Sequence, residues 1–241
     1  MVFCAGIVTA QNIAPFFVTG HKQIVKASEY GLVSNGEMEI TLSLADTNQA
    51  KLAKFVYSVL YGRLTPKQYA DKLIDSEKNK YRQELAEYAN MPSRLVNWEY
   101  DERHTVSVKG SYAVLSRSIS TFYGGAHPNT TVKYFIVNTK KPELLSLGGI
   151  VSRANLPKLK ALAVRELKPV LASLGVTHDD NFYISELKIE NYFPAAEGLV
   201  FHWNTYEVAH YAAGQIFVTV SCKEVEGLLN SKGKALAKDF K

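Results

Sequence analysis

The stretch from Gly198 to Cys222, GLVFHWNTYEVAHYAAGQIFVTVSC, limits the folds open to this chain more than any other. Leu199–Trp203 and Gln215–Val220 are rich in aromatic and β-branched residues that alternate with a period of two, as strands with one buried face do. An eleven-residue connection, Asn204 to Gly214, separates them and carries Tyr206, Glu207, His210 and Tyr211. Hairpin loops usually run to about two to five residues, and longer ones more often carry function. This loop is therefore the first candidate site.

The remaining chain reads as strands and helices in irregular order. Phe16 to Val33 is a leading strand and turn, and Met38, Ile40, Leu42 and Leu44 alternate with polar neighbours in a second strand. Such alternation implies one buried and one wet face, hence an antiparallel sheet. A helix follows, with Leu52, Phe55, Val56, Val59 and Leu60 on one stripe and an N-cap among Asp46 to Asn48. Thr65-Pro66-Lys67-Gln68 starts another: Thr65 caps, Pro66 occupies the first turn, Gln68 completes a capping box, and Met91-Pro92-Ser93 ends it. From Leu95 to Val137 the pattern is β, with a hairpin tip at Gly124–Asn129. A further helix begins near Asn155, where Pro169 should kink or split it. Phe182-Tyr183-Ile184 adds a strand, a short helix is expected at Val225–Leu229, and the basic tail NSKGKALAKDFK should fray. With no regular βαβ alternation, the expected class is α+β: antiparallel sheets with helices packed on them, in two adjoining subdomains. The expected divisions are residues 1–10, a signal-peptide remnant; 11–124; 125–229; and a tail, 230–241.

Composition narrows the function. At 46% hydrophobic and 21% charged, with a net charge of +5, the chain resembles ordinary globular proteins. The mild excess of base favours anionic partners, but no Lys/Arg run or aromatic–basic interleaving marks a nucleic-acid binder. No window approaches the roughly 18 apolar residues of a transmembrane helix. The opening MVFCAGIVTA is uncharged and ends Val8-Thr9-Ala10, the small-x-small pattern of a signal-peptidase site. A secreted or periplasmic address follows. On that reading Cys4 is removed and Cys222 remains as a lone thiol.

Two stretches carry a resemblance. One is Tyr123-Gly124-Gly125-Ala126-His127-Pro128-Asn129 followed by Tyr134 to Asn138. The other runs Gly198-Leu199-Val200-Phe201, Tyr206-Glu207-Val208-Ala209, Tyr211-Ala212-Ala213-Gly214 and Val218-Thr219-Val220. Together they resemble a bacterial extracytoplasmic family of unknown function, whose members include the lysozyme-binding part of an anti-sigma factor and the N-terminal region of a peptidoglycan deacetylase. Where that family usually has Ala-Pro-Tyr, this chain has Ala209-His210-Tyr211. The resemblance implies a cell-envelope binding or sensing module rather than an enzyme, with a lysozyme-like protein as one partner; the positive charge points instead to peptidoglycan or another anionic glycan.

The candidate ligand-binding residues are Tyr123, His127 and Asn129 at the hairpin tip and Tyr206, Glu207, His210 and Tyr211 in the long loop. Aromatic faces such as Tyr206 and Tyr211 stack on sugars, or alternatively wedge a loop onto its core. His202, between Phe201 and Trp203, reads as a packed sheet histidine. No spacing supports a metal, no serine sits in a nucleophile-elbow pattern, Cys222 lacks a neighbouring base, and no cofactor motif is present. Glu186, Glu190, Glu197 and Glu207 have no context marking a glycosidase pair. The enzymatic alternative is a cell-wall hydrolase using Glu207 and His210 as acid and base; the other is a structural accessory domain.

Overall fold

The computed structural model describes residues 15–30, 36–88, 96–176 and 187–240. The strands are β1 (Phe16–Lys26), β2 (Glu37–Thr47), β3 (Trp98–Lys109), β4 (Tyr112–Phe122), β5 (Asn129–Asn138), β6 (Glu143–Leu144), β7 (Tyr192–Ala195), β8 (Gly198–Trp203) and β9 (Ile216–Ser221). The helices are α1 (Ala50–Leu60), α2 (Pro66–Glu87), α3 (Leu147–Ile150), α4 (Leu156–Ser173), α5 (Cys222–Val225) and α6 (Ser231–Phe240). Six strands form one sheet in the order β1-β2-β3-β4-β5-β6, and three form a second, β7-β8-β9. The class is α+β. The expected strand at Phe182–Ile184, the helix stop at Met91–Ser93 and the opening MVFCAGIVTA lie outside the described residues.

The chain divides into two compact units. The first comprises the described residues up to Ser107 together with Thr121–Pro128; the second comprises Val108–Ser120 and everything described from Asn129 onward.

In the first unit, β1 and β2 pair antiparallel, and the alternation in β2 buries Met38, Ile40, Leu42 and Leu44. The β2–β3 pair is parallel, in the register Met38↔Trp98 through Ser43↔Arg103. This departs from the antiparallel expectation: α1 and α2 form the crossover that brings the chain back in the same direction, which parallel pairing requires. The α2 start is as expected. Thr65 Oγ1 accepts the Gln68 N–H at 3.2 Å, and Gln68 Oε1 accepts the Thr65 N–H at 3.0 Å. The α1 start is not. Gln49 holds its N-cap position without a side-chain bond, because Asp46 and Thr47 belong to β2, where Asp46 Oδ1 receives the Tyr57 hydroxyl at 2.5 Å.

In the second unit, α4 presents Leu159, Ala163, Leu167 and Leu171 to the core, none more than 1% exposed. They share it with Ile136, Phe201, Trp203, Val218 and Val220. The helix continues through Pro169 to Ser173 instead of splitting, since Pro169 lies on the exposed side and the buried stripe holds the turn around it. The C-terminal stretch, expected to fray, forms α6. Leu236 and Phe240 drop into the core, Asn230 Oδ1 caps the Gly233 N–H at 3.1 Å, and Gly233 passes so close to Ile150 that a Cβ there would lie 2.2 Å from its carbonyl oxygen. The sequence reading missed β7, which contains Pro194. Proline is tolerated there because β7 is an edge strand. Among the described residues, no helix is long and apolar enough to cross a membrane.

Candidate binding cleft

The antiparallel register β7–β8–β9 brings the start of β7, the end of β8 and the start of β9 to one end of the small sheet. The residues just beyond those ends are Asn191, Asn204 and Gln215. Their side-chain amides bond the backbone of β5. Gln215 Nε2 donates to the Thr130 carbonyl at 3.2 Å, and Asn204 Oδ1 accepts the Val132 N–H at 2.6 Å. Asn191 Nδ2 donates to the Val132 carbonyl at 2.8 Å, while its Oδ1 accepts the Tyr134 N–H at 3.0 Å. Strand edges carry donors and acceptors that must be satisfied when buried. Here three side chains serve as a substitute strand.

The long loop begins at this clamp. Asn204 is 9% exposed, and its carbonyl accepts the Glu207 N–H at 3.0 Å to close a four-residue turn. Both carboxylate oxygens of Glu207 turn back onto Asn204: Oε2 accepts its backbone N–H at 2.8 Å and Oε1 its side-chain amide at 3.2 Å. Tyr206 occupies the third position of the turn with φ 71°, a left-handed value usually left to glycine or asparagine. It is 54% exposed, and its ring centroid lies 5.8 Å from that of Tyr211. Val208 and Ala209 are buried and pin the loop, the exposed His210 precedes a 3₁₀ turn at Tyr211–Ala213, and Gly214 ends it at φ 70°. The connection is thus two anchored turns rather than an open loop.

Beside the first turn lies a cleft of about 500 Å³ lined by Lys133, Lys188, Asn191, His202, Tyr206 and Glu207, among others. His202 is 1% exposed and stacks on Phe217 at 4.3 Å with the planes 4° apart. Asn191 Nδ2 lies 3.1 Å from its Nδ1. That amide nitrogen can only donate, so Nδ1 accepts and the neutral ring carries its proton on Nε2. Nε2 is buried and meets no partner at hydrogen-bonding distance among the described residues. Burial pushes the His202 pKa down to about 4, against the opposing pull of the Glu207 carboxylate and the Gln215 amide. The expected packed histidine is what the fold contains.

This shift has a measurable consequence. Because the folded pKa lies below the unfolded 6.5, the unfolded chain takes up the proton first. The contribution of His202 to stability is complete above about pH 6.5 and is lost as pH falls towards 4. Denaturant midpoints measured from pH 7 down to 4.5 should therefore fall less steeply for His202→Phe than for the wild type.

Asn129, at the exposed start of β5, belongs to the second unit with Tyr206, Glu207, His210 and Tyr211. Tyr123 and His127 belong to the first. Tyr123 packs its ring on Trp98 at 4.6 Å and donates its hydroxyl to the buried Glu77 at 2.8 Å. Desolvation, followed by the bond to Glu77, raises its pKa far above the ordinary tyrosine value. His127 is exposed at the tip, its Nδ1 3.1 Å from the Pro128 carbonyl oxygen. Among the described residues, no hydrogen bond or ion pair joins Glu207 to His210, and no group of three or more His, Cys, Asp or Glu side chains converges as a metal site would require. Cys222 is partly exposed and its thiol donates to the Ala196 carbonyl at 3.3 Å.

One polar cluster escaped the sequence reading. In the first unit Glu102 and His104 are both fully or almost fully buried on β3. Glu102 Oε2 accepts the hydroxyls of Tyr69 at 2.8 Å and Tyr100 at 2.9 Å, and Oε1 lies 2.8 Å from His104 Nε2. His104 Nδ1 accepts the Ala45 N–H at 3.3 Å, which assigns the ring proton to Nε2, facing the carboxylate. The carboxylate and imidazole are closed to solvent, with Tyr69 partly exposed at the edge, and the cluster braces the unit.

Residues 152–223, which run from just before α4 to the end of the small sheet and include the long loop, match the model of a family described as a protein of unknown function, DUF3298. The fold is shared with a member of that family from Bacteroides fragilis, with a TM-score of 0.74, 17% identity, and coverage of 94% of this chain and 96% of that one. It is also shared with a DUF3298 family protein from Pseudomonas aeruginosa, with a TM-score of 0.58, 10% identity, and coverage of 90% and 94%. Curated proteins gave no match.

Proposed function

We propose that this chain is a non-catalytic binding protein of the bacterial cell envelope, and that the cleft beside Tyr206 takes a stretch of peptidoglycan-type glycan. The observation that carries this reading is Tyr206 itself. A large aromatic residue is held at φ 71°, a conformation costing about 1–2 kcal/mol for an L-residue, and more than half its surface faces solvent. Strain of this kind concentrates at ligand sites. Tyr211 extends the aromatic surface, while Lys133 and Lys188 in the cleft lining suit a ligand bearing carboxylates. Glu207 supports binding over hydrolysis, since both its oxygens are committed to holding the turn. The extracytoplasmic address rests on the opening sequence and on the family resemblance. A glycan is favoured over a lysozyme-type protein because such proteins are commonly basic and would meet the two lysines.

The test is retention of the full chain on insoluble peptidoglycan at low and moderate salt. Tyr206→Gly should lose most of the retention while keeping its thermal midpoint, because glycine relieves the strained φ. Glu207→Gln keeps one of the two acceptors that hold the turn, so it should weaken retention only severalfold, whereas a hydrolase using this carboxylate would lose rate by about a hundredfold or more. Retention unaffected by Tyr206→Gly, or tight calorimetric binding of lysozyme in its place, would sink the glycan reading.

A further inference from the structure

The second unit holds a larger groove, of about 1030 Å³, between β5, the β6–α3 segment, the start of α4 and Leu187–Tyr192. Its floor is apolar: Ile136, Leu145, Leu147, Leu156, Leu187 and Ile189. Its rim carries Lys133, Arg153, Lys160 and Lys188 against a single carboxylate, Glu190. Among the described residues none of the four rim cations sits in an ion pair, and what sets them apart from other unpaired lysines is that they gather around one apolar floor. An apolar trough ringed by uncompensated positive charge asks for a ligand with an apolar body and an anionic head.

We propose that this groove binds a single-chain anionic phospholipid, the acyl chain along the floor and the phosphate among Arg153, Lys160 and the two shared lysines. A peptide fits less well. To dock as an added strand it would need open backbone groups on β5, and those are taken: Val132 and Tyr134 by Asn191 and Asn204, and the Ile136 carbonyl by the Leu145 N–H at 2.8 Å. A sugar would find few hydroxyl partners on such a floor. An acyl chain needs none, and the groove is at the upper end of the roughly 300–1,000 Å³ that such ligands occupy. Phosphate suits a guanidinium flanked by ammonium groups, since Arg153 can engage two of its oxygens at once. The groove shares Lys133 and Lys188 with the cleft beside Tyr206, but neither Tyr206 nor Glu207 lines it, and Arg153 and Lys160 line the groove alone.

The experiment is calorimetric titration of the full chain with lysophosphatidylglycerol below its micelle concentration. Zwitterionic lysophosphatidylcholine of the same chain length and glycerol phosphate alone serve as comparators. The anionic lipid should bind at least about tenfold more tightly than either. Arg153→Glu and Lys160→Glu, both on the rim, should each weaken it by about tenfold, and more at low salt. Lys54→Glu, the same charge reversal on α1, should leave it unchanged. Leu144→Gln, at an apolar lining residue that is already 44% exposed and therefore safe for folding, should weaken the lipid but not glycerol phosphate. Tyr206→Gly should leave lipid affinity intact, which separates failure here from failure of the glycan site. Equal affinity for the zwitterionic lipid, equal affinity for glycerol phosphate, insensitivity to both rim variants, or tighter binding of an acidic peptide would each overturn the assignment.

Discussion

Replacing Glu102 with alanine should cost the protein about 3–5 kcal/mol, because the donors that share its carboxylate each lose a buried acceptor, at about 1–3 kcal/mol apiece. In calorimetry that is a fall in the unfolding midpoint of about 10 °C for a chain of this size. Glu102 is 0% exposed, and its carboxylate accepts the hydroxyls of Tyr69 and Tyr100 and the His104 Nε2–H. Alanine leaves a cavity among them and removes the acceptor they share. Glu102→Gln keeps the volume and one acceptor oxygen, so its loss should be smaller, about 1–2 kcal/mol. If the two variants were equally mild, the cluster would not be the brace described above.

Asn191→Ala should be nearly as costly, about 3 kcal/mol, at about 1–3 kcal/mol for each partly buried group left unpaired. The variant strips the Tyr134 N–H of its acceptor, removes one of two donors from the Val132 carbonyl, and takes the hydrogen bond from His202 Nδ1. Asn191→Asp distinguishes lost bonds from lost volume. The aspartate still accepts from Tyr134 but turns an acceptor towards the Val132 carbonyl, so it should destabilise about as much as alanine despite its shape. Chemical denaturation followed through Trp203, whose indole donates to the Lys188 carbonyl at 2.8 Å beside the clamp, is the direct measurement.

Much of this was legible in the sequence, and the illegible parts share a cause. The capping box at Thr65 and Gln68 is a local code, four residues that satisfy one another, and it reads directly. The alternation in β2 and the two arms around the long loop likewise need only their own neighbours. Glu102 and His104 were readable in principle, because they continue in phase with Trp98 and Tyr100 along the buried face of β3. Their polarity hid them, since a period-two reading that counts apolar residues alone stops at Tyr100. The parallel β2–β3 pair, the continuity of α4 through Pro169 and the order in α6 depend on partners far along the chain. Asn230 and Gly233 look like breakers until Ile150 is known to lie against them. The candidate loop was found from its length and aromatic content. Its conformation was not, because the turn at Tyr206 is closed by Glu207 folding back onto Asn204, and nothing in the residue types separates that role from an acid waiting for a substrate.

The amide clamp on β5 differs from strand pairing in how it comes apart. Two paired strands separate together, since each ladder bond holds the next in place. Asn191, Asn204 and Gln215 each turn on their own side-chain torsions, so each can let go of Thr130, Val132 or Tyr134 while the others stay fastened. The edge that walls the cleft is therefore fastened at separate points, like latches along a door rather than a single hinge, so a substitution at one of them need not undo the others.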